Sequence, residues 1–249
     1  MLNGNEALLS DVIAKQKLNV LLLVDTSTSM HGKRIDQVNK AIKEIIYYLK
    51  NLQVENTNVD FYMSIMTFDT TAKWVDNKIS INVDDYDFKD IKAKGQSNLH
   101  LAYDELAKVL KKESQGGIMP DFGGIAPIIL LLSDGHPSKS CKKNLLELKK
   151  LPWFNVALKY GLAIELNDTK TKNILRDFVD HNGEVIECYD SRLLKQIIKI
   201  IVLTASKVKS QSKSYNRKIN SSKNSISMTH QEVIQEIQTN LVEVDDWEW

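Results

Sequence analysis

The stretch NVLLLVDTSTS, residues 19–29, decides how this chain is read. Its first six residues are mostly apolar, β-branched at Val20 and Val24, and the run stops at Asp25. A run apolar on both faces suits a central strand of a parallel sheet, because such a strand is covered from both sides. A polar loop over 26–32 follows. Then Ile35, Val38, Ala41, Ile42, Ile45, Ile46 and Leu49 recur at helical spacing, which predicts a helix to about Leu52.

The same alternation continues outward. Val59–Phe68 reads as a second strand, with 74–82 pairing back across 69–73 as a hairpin. Leu99, Ala102, Leu106, Val109 and Leu110 predict a second helix, and the Gly-rich stretch 114–124, holding Pro120, a loop. Residues 125–133 form the most apolar strand and end at Asp134-Gly135. A helix around 142–148, a strand over 155–165, a helix over 168–180 with Asp168 as N-cap, a strand over 185–188 and an amphipathic helix over 191–205 complete the series. Strands alternating with helices predict an α/β fold: a doubly wound, mostly parallel central sheet with one antiparallel edge strand and helices on both faces. Ligands of such sheets gather beyond the carboxyl ends of the strands, at the switch point. Two of the strands end there in carboxylates, Asp25 and Asp134.

Composition excludes several classes of function. Of 249 residues, 43% are hydrophobic and 26% charged, as in ordinary soluble domains. A net charge of +1 predicts neither a nucleic-acid nor a membrane partner. Cys141 and Cys188 form no C-x-x-C pair, and free thiols suit a reducing, cytoplasmic setting. No apolar run approaches the roughly 20 residues that span a bilayer. Residues 1–17, mixed and polar, read as an N-terminal extension without the apolar core of a signal peptide. The folded domain is expected over 18–206. A basic, Ser-rich linker follows over 207–228; within 206–224 stand Lys207, Lys209, Lys213, Arg217, Lys218 and Lys223 and no acid. Residues 229–249 form an acidic tail carrying Trp247 and Trp249, which we read as a docking motif, since Trp is enriched in binding hot spots.

Three loops carry the chemistry. Asp25, Ser27 and Ser29 offer an oxygen at alternate positions after the first strand. The loop Lys94-Gly95-Gln96-Ser97-Asn98 adds a hydroxyl, and Leu132-Ser133-Asp134-Gly135 a second carboxylate. Hard cations such as Mg²⁺ take oxygen ligands, and so few charges leave the ion seeking another anion. Taken alone, Asp25 and Ser29 read as helix capping; joined to Ser97 and Asp134 they read as a metal site.

Asp-x-Ser-x-Ser, a Gly-x-Ser loop and a Ser-Asp-Gly strand end, in this order, resemble the metal-ion-dependent adhesion site of von Willebrand factor A domains, over roughly residues 18–206. Phe68-Asp69, LLSDGHPS at 131–138 and the stretch 202–207 resemble the bacterial tellurite-resistance (TerY-like) branch. The resemblance implies that Ser27, Ser29 and Ser97 touch the metal and that Asp25 and Asp134 hold it through waters. It implies Mg²⁺, with Mn²⁺ or Ca²⁺ as substitutes. It implies as partner another protein supplying a carboxylate, a kinase or phosphatase of one stress-response or phage-defence system. The family mostly has Thr where this chain has Ser97; Ser keeps the hydroxyl and loses a methyl that stiffens χ1.

His31, His100 and His136 sit in or beside these loops and read as solvated loop residues, the other reading being a rim that tunes the site with pH. Asp69 reads as a strand end and turn start, the other reading being support behind the metal ligands. The leading function is a non-enzymatic adaptor. Its rivals are a Mg²⁺-dependent phosphohydrolase with Asp25 as nucleophile and an accessory subunit of an AAA-type ATPase. The first wants an acid two residues beyond Asp25, where Ser27 stands; for the second, this chain has no phosphate-binding Gly-x-x-x-x-Gly-Lys loop, so the ATPase would be another protein.

Overall fold

A computed structural model describes residues 15–55, 59–134, 137–164, 169–180 and 184–188. The helix expected over 191–205, the linker and the tail with Trp247 and Trp249 lie outside the described residues, as does His136.

The apolar run near the N-terminus becomes strand β1 (Gln16–Asp25), and the helical spacing after it becomes α1 (Lys33–Glu55). There follow β2 (Val59–Phe68), two short strands β3 (Ala72–Trp74) and β4 (Ile81–Asn82), and helix α2 (Leu99–Val109). Strand β5 (Ile128–Ser133), helices α3 (Lys142–Leu148) and α4 (Pro152–Val156), strand β6 (Leu158–Ile164), helix α5 (Thr169–Val179) and strand β7 (Glu184–Cys188) complete the described chain.

All seven strands form one sheet, ordered β3-β2-β1-β5-β6-β7, with β4 also on β2. The pairs β1–β2, β1–β5, β5–β6 and β6–β7 are parallel, and β3 and β4 run antiparallel to β2 at the edge. The expected mostly parallel sheet with an antiparallel edge is therefore present. Because β1 has β2 on one side and β5 on the other, the winding reverses at β1. The switch point lies at the ends of β1 and β5, where Asp25 and Asp134 stand.

Strand alternation sorts the core into two layers. Leu18, Val20, Leu22 and Val24 face α1 through Val38, Ile42, Ile45 and Leu49. Leu21, Leu23, Ile129 and Leu131 face the other way, toward α2 (Tyr103, Leu106), α3 (Leu148) and α5 (Leu175, Phe178). Each of these β1 leucines is essentially fully buried, and burying a Leu side chain stabilises by about 1.5–3 kcal/mol. At Gly161 in β6 the sheet and α5 come so close that a Cβ would stand 2.9 Å from that of Leu175.

Several boundaries differ from the sequence reading. The edge over 74–82 is not one strand. Residues 75–80 loop out between β3 and β4, with Asp76, Asn77 and Ser80 at positive φ. Asp and Asn tolerate that region better than most. Ser80 is held there by its N–H donating to Ser64 Oγ and its hydroxyl to Asn19 Oδ1, both at 2.6 Å. Strand β5 starts at Ile128 rather than 125, because Pro127 has no N–H for the ladder. Strand β6 starts at Leu158 rather than 155, because Pro152 at the first helical turn nucleates α4.

Candidate metal centre

Asp25 is the last residue of β1 and is fully buried. Its Oδ1 accepts the Ser27 N–H at 2.9 Å; its Oδ2 accepts the hydroxyls of Ser97 at 2.8 Å and Ser133 at 2.9 Å. Burial pushes the carboxyl above the usual carboxylate range, and these hydrogen bonds, with Ser27's first, pull it part of the way back. The Ser27 and Ser29 hydroxyls are 3.1 Å apart, and Ser29 donates to Asp134 Oδ1 at 2.8 Å. Ser97, Asp25, Ser27, Ser29 and Asp134 thus meet in one cluster, although up to 109 positions separate them in sequence (Asp25 to Asp134).

Backbone bonds hold the three loops in register. Lys94 N–H donates to Thr26 O at 2.6 Å, and Thr28 donates to Gly95 O through both its N–H and its hydroxyl, at 3.0 and 2.9 Å. Asn98 N–H reaches Asp69 O at 3.1 Å, and Ser138 N–H reaches Ser97 O at 2.7 Å. Gly95 has φ +73°, and a Cβ there would lie 2.5 Å from Thr70 Oγ1. Only glycine meets both demands without displacement. Behind the loop, the buried Asn39 of α1 grips the backbone of Ile91 from both sides. Its amide donates to Ile91 O at 2.9 Å and accepts Ile91 N–H at 3.0 Å.

Asp69 directly follows β2 and accepts the Thr71 N–H at 2.9 Å, the geometry of a turn. His31 is exposed on the loop. His100 differs from the solvated reading: it lies in the first turn of α2, and its Nδ1 is buried with no hydrogen-bond partner among the described residues. Two contributors escaped the sequence reading. Ser133 was seen as part of a motif but not as a partner of Asp25. Arg34 donates from Nη1 to Asp134 Oδ2 at 2.7 Å and to the Ser29 carbonyl at 3.0 Å. The one local signal was a cation five residues after Ser29.

The donor set is two carboxylates and three hydroxyls. No group of three or more His, Cys, Asp or Glu gathers among the described residues. Oxygen donors of low total charge fit a hard divalent ion such as Mg²⁺ better than one that prefers nitrogen and sulfur. Among the described residues no helix is long and apolar enough to cross a membrane.

A family model described as the von Willebrand factor type A domain matches residues 19–240. Inter-alpha-trypsin inhibitor heavy chain H1 of Sus scrofa is 22% identical over 191 residues, which is 72% of this chain and 19% of that protein. The chain therefore spans about a fifth of that relative's length. Among solved structures, a von Willebrand factor type A protein from Catenulispora acidiphila aligns with TM-score 0.55 at 12% identity, over 75% of this chain and 42% of that one. Proximal thread matrix protein 1 from the mussel byssus, with a zinc-occupied MIDAS motif, aligns with TM-score 0.52 at 16% identity, over 76% and 48%. At such identities these structures share the fold.

Proposed function

The chain belongs to the von Willebrand factor type A family, and from that membership we propose that it is a non-enzymatic protein-binding module whose grip depends on Mg²⁺. Ser27, Ser29 and Ser97 are the direct ligands, and Asp25 and Asp134 hold the ion through waters; Mn²⁺ or Ca²⁺ can substitute. One observation carries this reading: five oxygen-bearing side chains from three loops meet at the switch point. When bound, the ion supplies a positive charge that few protein charges neutralise, so a carboxylate of the partner completes it. Asp25 aligns the cluster, with the Ser97 and Ser133 hydroxyls fixed on one of its oxygens.

That commitment of Asp25 also argues against the phosphohydrolase reading. Its carboxylate is fully buried and accepts three hydrogen bonds, and the neighbour two residues on is a serine rather than a general acid. The likeness to the TerY-like branch supports a partner among kinases or phosphatases of a stress-response or phage-defence system. The buried, free thiol of Cys141 supports a reducing, cytoplasmic setting.

Calorimetry with Mg²⁺ and Mn²⁺ tests the site: the parent chain binds one ion, and Asp25→Ala binds at least tenfold more weakly. Equal affinity in Asp25→Ala would falsify the assignment. A pull-down with and without chelator tests the binding role, because partner capture is lost when the ion is removed.

A further inference from the structure

The Asp134 side chain has no exposed surface. A carboxylate in such a place is tolerated only with a counter-charge and hydrogen bonds. Ser29 supplies a hydrogen bond to one oxygen, at 2.8 Å, and the Arg34 guanidinium supplies the charge at the other, at 2.7 Å. The same nitrogen of Arg34 donates to the Ser29 carbonyl at 3.0 Å. Arg34 is the second residue of α1, so the helix fixes its Cα while the long side chain reaches across. That side chain is 32% exposed, which leaves the guanidinium a path toward solvent.

The charges decide what this contact does. Asp25 and Asp134 together carry two negative charges when ionised, and a divalent ion alone would balance them. With the guanidinium beside Asp134 the pocket is already half neutralised, and a divalent ion entering it meets a like charge at short range. Such repulsion lowers affinity. An arginine cannot relieve it by losing its proton.

Resting on the reading of these residues as a divalent-ion site, we propose that Arg34 is a tethered counter-ion that competes with the metal for Asp134. In the ion-free protein Arg34 holds Asp134 and Ser29 in place. On loading, the ion takes over the charge of Asp134, and Arg34 gives up part of its contact. Arg34 is thus a positioning residue that sets a modest metal affinity, so that occupancy follows the free Mg²⁺ concentration.

The test is a Mn²⁺ titration of the full chain, followed by the electron paramagnetic resonance signal of free Mn²⁺. Thermal unfolding in chelator is measured beside it. Arg34→Gln keeps much of the length and removes the charge; Arg34→Lys keeps the charge. The expected result is that Arg34→Gln binds Mn²⁺ about tenfold tighter than the parent, while Arg34→Lys stays within a few-fold of it. In chelator Arg34→Gln melts lower than the parent, and added Mn²⁺ closes the gap. A merely structural role would lower stability without tightening the metal. If Arg34→Gln unfolds in chelator, Mn²⁺ restores it, and failure to restore it overturns the proposal. If the parent binds Mn²⁺ and the folded Arg34→Gln binds equally or more weakly, the role of Arg34 is wrong while the metal site stands. If neither takes up Mn²⁺, the metal reading itself is wrong and the role of Arg34 falls with it.

Discussion

Ser97 presents a buried hydroxyl to Asp25 Oδ2 across 2.8 Å, and its substitution separates two effects. Ser97→Ala removes one of the two hydroxyls that the buried Asp25 Oδ2 accepts, leaving Ser133 as its partner, and costs about 1–3 kcal/mol in denaturant unfolding as well as metal affinity. Ser97→Thr keeps the hydroxyl and adds a methyl that restricts χ1. It is expected to hold Mg²⁺ as tightly as the parent or a few-fold tighter, by calorimetry; clearly weaker binding would mean the pocket has no room for the methyl. Lys159, at the second position of β6, poses a different problem. It is 5% exposed, and its ammonium donates to the carbonyls of Phe154 at 2.9 Å and Ala157 at 3.2 Å. Burial pushes it below the ordinary lysine value of 10.5, against the pull of Asp180. Between the lowered value and 10.5 the unfolded chain binds the proton more than the folded one, so stability rises with pH across that window. The neutral amine still makes both hydrogen bonds. The stability of the parent relative to Lys159→Met, from urea unfolding, should therefore grow as the pH is raised toward 10.5. A flat difference would show that the buried charge carries no penalty.

At the scale of elements, the loop that carries Ser97 is positioned from two sides. Asn39 clamps it to α1 at Ile91, and Gly95 lets it pass against Thr70. Asn39→Ala removes both halves of the clamp and leaves the buried Ile91 backbone unpaired, at a cost of about 1–3 kcal/mol. Hydrogen exchange should quicken at Ile91 and in the following loop, and Mg²⁺ affinity should fall although Asn39 touches none of the proposed ligands. Gly95→Ala is expected to be at least as damaging, because a strained φ adds to a contact that backbone shift must relieve. Unchanged exchange in Asn39→Ala would mean that the loop holds itself. Both positions lie in stretches that look like ordinary helix and loop, and only their partners give them a role.

For the molecule as a whole, ion binding and stability are linked. An ion that binds the folded chain alone stabilises it by about 2.7 kcal/mol at a hundred times its Kd. For a domain of this size that raises Tm by about 5–10 °C. Differential scanning fluorimetry should show this rise with Mg²⁺ in the parent and at most about half of it in Asp25→Ala; parallel rises would place the ion elsewhere. The segment with Trp247 and Trp249 is a separate matter. We propose that it docks a partner independently of the metal face, its rings burying area and its acids pairing with a basic rim. Deleting residues 241–249 should weaken partner capture and leave Mg²⁺ affinity unchanged. Tighter capture would instead mean that the segment covers the chain's own metal face.

What could be read along the chain was whatever depends on neighbours in sequence. The apolar run of β1, the helical spacing of α1 and the oxygen spacing of 25–29 are short-range patterns, and they sufficed for the fold class, for most strands and helices in order though not for α4, and for naming the three loops of the candidate site. Pro127 and Pro152 were visible too, and reading them more strictly would have corrected the starts of β5 and β6. The tertiary structure alone decided what depends on pairs far apart. The bond of Arg34 to Asp134 spans 100 positions and that of Ser133 to Asp25 spans 108. The split of the edge into β3 and β4 rests on Ser64 and Asn19 holding Ser80. The buried seat of Lys159 likewise depends on where β6 lies beneath α4 and beside Asp180. The physical reason is common to all four. A charge or hydroxyl has the same local signature in water as in a pocket, and its role is set by burial and by the partner that burial brings within 3 Å or so.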